Sequence, residues 1–366
     1  MRHTAQLRSS WSITASASAA AFALLISGCV KEPGAPGASN MGSSSSMSAP
    51  AGKKDEPEAP VVPRTKGENI FAGVKWWIDP YANATLAVKR LKNSNNLEDS
   101  QLIAKIADNG GADWIGDWTP NVENWVHKRV KLINKNKAFP LFLAYNIPKR
   151  DCGQYSAGGA TAGDAYKAWI SAFARAIGPQ RAAVVLEPDA LGLLKKCLSE
   201  ADQKERLELL RFAVHAFEAQ MNTAVYIDAG NAGWIEAPEM AKRLKDAGVD
   251  DADGFALNVS NYKTTEATIK YGKEISKRLG GKHFVIDTSR NGKGPPEVKG
   301  DVEAAWCNPS GRGLGTPPTT NTADPAVDAY LWLKKPGESD GQCNGGPKAG
   351  MWWQEKALEL AKNASF

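Results

Sequence analysis

Residues 182–192 read AAVVLEPDALG, and how this stretch is understood decides the fold. Its five leading apolar residues lack the polar alternation of a half-exposed strand, so both faces must be covered, as in a strand inside a parallel sheet. Similar β-rich runs recur along the chain: FAGVKWWI (71–78), FPLFLAYNI (139–147), TAVYID (223–228), GFALNVS (254–260), HFVID (283–287) and AVDAYLWL (326–333). Helical patterns lie between them at 164–178, 202–220, 238–248 and 264–280. In the second of these, Leu207, Leu210, Val214 and Phe217 repeat at three- and four-residue steps and make one buried stripe. About seven strand–helix units over residues 65–366 favour a parallel β/α barrel of the TIM-like kind, with an open doubly wound sheet as the alternative.

The strands deliver acids. Asp151 ends LFLAYNIPKRD, Asp189 ends VVLEPD, Asp228 ends AVYID and Asp287 ends FVID. In a parallel barrel these ends meet at the C-terminal face, where catalytic groups are normally found. Any one of them alone reads as a helix cap or turn residue. Several together would raise one another's pKa and keep one carboxyl protonated near neutrality. The Gly-rich loop LKKPGESDGQC (333–343) adds Glu338 and Asp340 with Lys335, a lysine expected to hold at least one carboxylate ionised unless the loop is simply a solvated charged turn.

Trp234, Trp306 and Tyr145 sit in Gly-, Pro- or Asn-rich sequence beside these acids. Flat rings next to carboxylates suit a sugar, whose C–H faces stack while its hydroxyls seek polar groups. Trp332 and Trp169 read instead as core residues of a strand and a helix. A net charge of +5 (45 Lys and Arg against 40 Asp and Glu) is too small over 366 residues to suggest a nucleic-acid partner. Four scattered histidines and the lack of any CxxC spacing leave no metal site to write, and no cofactor is implied.

Arg2 and Arg8 precede the short apolar run ITASASAAAFALLISG, which marks residues 1–28 as an export signal. Ile26-Ser27-Gly28-Cys29 resembles a lipobox, so Cys29 is expected to carry lipid, with residues 29–64 as a Pro/Ser/Gly-rich tether and 65–366 as the folded domain. The expected location is the cell envelope, at an outer membrane or the cell surface, or release into the medium, with membrane contact through Cys29 only. With Cys29 set aside, four cysteines in an exported chain form two disulfides in one of three connectivities. Cys152–Cys197 and Cys307–Cys343 are preferred, because each would pin a loop that carries an acid.

The blocks AYNIPKRDCGQYSAGG, VVLEPDALG, VYIDAGNAGW, GFALNVSNY, FVIDTSRNG, WCNPSGRGLG, YLWLKKPGESDG and WWQEKALELAKNA, in this order over residues 68–366, resemble glycoside hydrolase family 6, the inverting cellulases. The resemblance implies a modified, distorted parallel α/β barrel acting as a monomer on β-1,4-glucan. It makes Asp189 the general acid, Asp151 its support and proton relay, Asp228 a third active-site carboxylate and Asp340 a candidate base. It also implies substrate contacts from Tyr145, Ser156, Trp234, Asn258, Trp306, Lys335 and Glu338. An inverting acid and base should stand roughly 6.5–9.5 Å apart. The family's DAGHAGW block is DAGNAGW here, so Asn231 can hydrogen-bond but not titrate. The compact catalytic part suggests internal cleavage; exo action or an inactive glucan-binding protein are the alternatives.

Overall fold

The computed structural model describes residues 63–297 and 303–366. The export segment, Cys29 and nearly all of the tether expected at 29–64 lie outside the described residues. Seven strands, β1 (Asp113–Gly116), β2 (Leu141–Tyr145), β3 (Ala182–Leu186), β4 (Thr223–Asp228), β5 (Gly254–Leu257), β6 (His283–Asp287) and β7 (Val327–Leu331), pair in parallel, each with the next in the chain. The sheet curls until its edges meet through single bonds, Ala112 N to Trp332 O at 3.1 Å and Trp114 Nε1 to Leu333 O at 2.8 Å. No strand pairing joins β1 to β7 among the described residues, so the barrel is distorted rather than closed.

The helices are α1 (Asn83–Asn93), α2 (Leu97–Ala107), α3 (Val122–Lys135), α4 (Gly163–Ile177), α5 (Glu200–Glu218), α6 (Ala237–Asp246), α7 (Thr265–Arg278), the short α8 (Glu303–Trp306) and α9 (Gln354–Lys362). Side chains alternate across each strand. Phe142, Ala144, Val184 and Leu186 point outward into a core shared with α3 to α7, while Leu141, Leu143, Ala183 and Val185 point into the barrel. On α5, Leu210, Val214 and Phe217 form the buried stripe, with Leu207 packed at its edge. Ser199 caps that helix by accepting from Asp202 N at 3.2 Å. Trp332 packs with α1, α2 and α9 in a third cluster, and Trp169 is partly buried against Phe173.

Two expectations need correction. Residues 71–78 are not a strand: only Trp76 makes an isolated bridge, to Phe139, and the first strand is Asp113–Gly116. The apolar character of that run serves a different end. Phe71 plugs the barrel interior, with ring centroids 5.6 Å from Phe139 and 5.8 Å from Tyr226, filling space left by the small Ala183, Ala224, Ala256 and Ala329. The second concerns Asp287, which does not join the other strand-end acids at a cleft. It is buried, and its carboxylate accepts from the backbone of Ser289 (2.9 Å), Ser260 (3.0 Å), Lys334 (3.0 Å) and Leu333 (3.3 Å), tying together the loops after β5, β6 and β7.

Asp287→Ala would strand these buried N–H groups, each worth roughly 1–3 kcal/mol when left unsatisfied. The expected outcome is a loss of about 3 kcal/mol or more in a urea titration; a change within 0.5 kcal/mol, the ordinary range of a surface substitution, would refute this role.

Candidate active site

The turn after β3 aims two acids in opposite directions. Glu187 and Asp189 both hold left-handed backbones, with φ of 49° and 68°, a strained conformation for residues bearing a Cβ. The Glu187 side chain turns inward, where it is fully buried and accepts from Asn146 N (2.9 Å) and Ile147 N (3.0 Å). It thereby fastens the loop after β2, and burial pushes its carboxyl up to about 7 against those bonds. Asp189 turns the other way and reaches the cleft, while its backbone N–H donates to Asp228 Oδ2 at 2.9 Å.

Burial raises the Asp189 carboxyl well above the usual carboxylate range, reinforced by the charges of Asp228, Asp151 and Asp340. Asp228 lies beneath it, almost wholly buried, and accepts also from Gly230 N at 3.1 Å. Burial lifts Asp228 to about 7, opposed by the N–H groups of Asp189 and Gly230. Asp151 is raised by burial too, with the Ser156 N–H at 2.8 Å, Arg150 and Lys196 working in the other direction. Asp340 behaves differently. Burial would raise it, but the Arg290 guanidinium, bound to both oxygens at 2.9 Å, and Lys334 at 3.3 Å outweigh that and hold it ionised.

Asp151, Asp189 and Asp340 face a cleft of about 990 Å³. Tyr145, Asp151, Ser156, Asp189, Asn231, Trp234, Trp306, Lys335, Glu338 and Asp340 all line it. Trp234 lies against Gly192, where any side chain would collide with its indole, and this accounts for a glycine three residues after Asp189. Both disulfides, Cys152–Cys197 and Cys307–Cys343, are formed and brace the loops that hold Asp151 and Asp340. Tyr155 of the first loop meets Trp306 across the cleft at 6.2 Å, and Gly341 packs against the Tyr155 ring.

Asp228, expected as a third active-site carboxylate, sits against Asp189 without lining the cleft. Two expectations differ from this geometry. Asn258 is fully buried, donates to Asp287 O (2.9 Å) and Lys263 O (3.2 Å), and so shapes the turn after β5 instead of facing a substrate. Lys335 does not hold a carboxylate of its own loop, for its Nζ lies 3.8 Å from Asp113, and the cations on Asp340 are Lys334 and Arg290. Nothing in the sequence links Arg290 to Asp340, because it comes from a loop fifty residues away.

Arg150, next to Asp151 in the chain, is a further functional residue. Nearly buried, it donates to Tyr145 O (2.7 Å), Ser156 O (2.8 Å) and Asp117 (2.9 Å), and fixes the loop carrying Tyr145, Asp151 and Ser156. A basic residue beside a catalytic-type acid was the available signal. Among the described residues no group of three or more His, Cys, Asp or Glu could hold a metal ion.

The sequence profile described as "Glycosyl hydrolases family 6" matches residues 71–364. Endoglucanase A of Cellulomonas fimi is 41% identical over 292 residues, covering 78% of this chain and 61% of that protein. Endoglucanase 1 of Streptomyces halstedii is 41% identical over 266 residues, covering 70% of this chain and 79% of that one. The chain spans about three fifths of the first curated relatives it matches, 61% and 62% of their lengths. Among solved structures, the endoglucanase Cel6 from Mycobacterium tuberculosis, in complex with methyl-cellobiosyl-4-deoxy-4-thio-β-D-cellobioside, aligns with a TM-score of 0.76 at 42% identity over 81% of this chain and 99% of that one. A profile match over most of the folded region, relatives above 40% identity and a shared barrel agree: this chain belongs to glycosyl hydrolases family 6.

Proposed function

We propose that this chain is an endo-β-1,4-glucanase that hydrolyses internal bonds of cellulose or a related β-glucan with inversion at the anomeric carbon. The observation that carries the reading is Asp189, its carboxyl raised well above the usual carboxylate range, in a cleft walled by Tyr145, Trp234 and Trp306. In this reading the rings seat the sugar, and Asp189 gives its proton to the glycosidic oxygen as the bond breaks. Water attacks the opposite face. Asp340, kept ionised by Arg290 and Lys334, is a weak proton acceptor and serves chiefly to stabilise positive charge at the reacting carbon. Asp151, whose carboxyl is raised and accepts from the Ser156 N–H, is better matched to receive the water's proton, directly or through a relay. Relatives named endoglucanases support internal cleavage, whereas the Tyr155–Trp306 contact over the cleft favours exo action as a second reading. The chain acts as a monomer, held to the cell envelope, at an outer membrane or the cell surface, by lipid on Cys29 and the tether of residues 29–64.

On carboxymethyl cellulose the protein should lower viscosity early relative to reducing-end release; ends appearing with little viscosity loss would mean exo action. Asp189→Asn should cut turnover of cello-oligosaccharides by roughly 10²–10⁴-fold, and near-full turnover would overturn the acid assignment.

Asp189 must be protonated to act, so activity falls as pH rises through its raised pKa. Above about 7, Asp228 ionises and its negative charge keeps the proton on Asp189. Asp228→Asn removes that charge, and the alkaline limb of kcat against pH should move to lower pH; a limb that stays or moves up contradicts the coupling.

Radiolabelled palmitate should enter the wild-type chain in a bacterial host and not Cys29→Ser, which should appear in the medium. Equal labelling of both would exclude the anchor.

A further inference from the structure

Arg206, on α5, is 2% exposed and does not line the cleft, although an arginine is costly to bury. Burial works against its charge, and the charges of Glu187, Tyr166, Asp202 and Tyr145 work the other way. Among the described residues no carboxylate pairs with it directly. The guanidinium meets main chain instead: one terminal nitrogen donates to Pro148 O at 2.8 Å and Lys149 O at 3.0 Å, and the other to Ala190 O at 3.4 Å.

Those carbonyls belong to the two segments that carry the acid and its partner. Pro148 and Lys149 come just before Asp151, and Ala190 follows Asp189. Lys149, Asp151 and Asp189 all hold left-handed backbones, with φ of 55°, 56° and 68°, a strain that needs restraint from outside. Glu187 grips the same stretch from the other side. It takes the N–H groups of Asn146 and Ile147, and Arg206 takes the carbonyls of the next two residues. Only a rigid, planar fork of donors reaches both segments at once; an ammonium is a point charge on a flexible stem. We infer that Arg206 is a positioning residue, which joins the loop after β2 to the turn after β3 and so fixes Asp151 against Asp189.

Asp151 is one of three carboxylates, with Asp228 and Asp340, whose charges keep the proton on Asp189. Letting the two segments part weakens that repulsion and lowers the pKa of Asp189. Removing a nearby positive charge without moving the loops would raise it. The two effects shift the alkaline limb of kcat in opposite directions.

This assignment rests on the glucanase reading, and the experiment separates the two. Turnover of cellopentaose is followed against pH for the wild type, for Arg206→Lys, which keeps the charge and loses the fork, and for Arg206→Met, which loses both. The Cys152–Cys197 disulfide, which joins the same two segments further along, stays in every variant, and thermal melts check that each is folded. Both variants should lose roughly 10²-fold in kcat, the scale of a misplacement of about 1 Å, with KM little changed and the alkaline limb moved to lower pH. Full kcat in Arg206→Lys would overturn the assignment, as would a limb that stays or moves up in either variant. If Arg206→Met does not fold, Arg206→Lys decides alone. Variants that match an active wild type remove the assignment and leave the glucanase reading intact; a wild type that leaves cellopentaose uncut removes both.

Discussion

A carboxyl group can donate a proton near neutral pH only where ionising it is made expensive, and the rest of this structure depends on meeting that requirement at Asp189. Taking the group out of water supplies the first part, and three neighbouring carboxylates supply the rest. Acids brought this close repel one another. The fold bears the repulsion by treating each differently: Asp228 is sealed beneath, Asp151 is tempered by one backbone N–H and nearby cations, and Asp340 is neutralised by Arg290 and Lys334. One cluster thereby has a carboxyl raised well above its ordinary pKa at one end and a carboxylate lowered at the other, the two environments that set an acid apart from its neighbours.

Such an arrangement needs rigid loops, and the supports are found where the loops begin. Glu187 grips the backbone after Tyr145, Arg150 grips the segment from Tyr145 to Ser156, and Asp287 collects donors from three loops. Disulfides then close the two loops that hold Asp151 and Asp340. The left-handed backbones at Glu187, Asp189 and Asp151 are strained, and strain of this kind persists only where surroundings over-determine it. Stability is used here to keep acids in positions they would not choose.

The aromatic lining follows the same logic with rings. Trp234 depends on Gly192 and Trp118 on Gly116, in each case because a missing side chain lets an indole lie close to the backbone. Rings held this way have little freedom left to lose on being covered, which makes the cleft a prepared surface. Tyr155 and Trp306, which both line the cleft, also meet one another there.

Sequence by itself determined the parallel sheet, because uninterrupted apolar runs such as AAVVL can only be covered on both faces. It also showed which strands end in acids and, through cysteines placed beside those acids, how the loops are braced. It did not separate Asp287 from Asp189, since both end apolar strands, nor show that Asn258 turns inward, that residues 71–78 fill the barrel without pairing as a strand, or that Arg290 and not Lys335 answers Asp340. Those outcomes belong to tertiary structure for one reason: whether a carboxyl keeps its proton depends on the water it loses and the charges it meets, and its neighbours here arrive from loops separated by tens of residues along the chain.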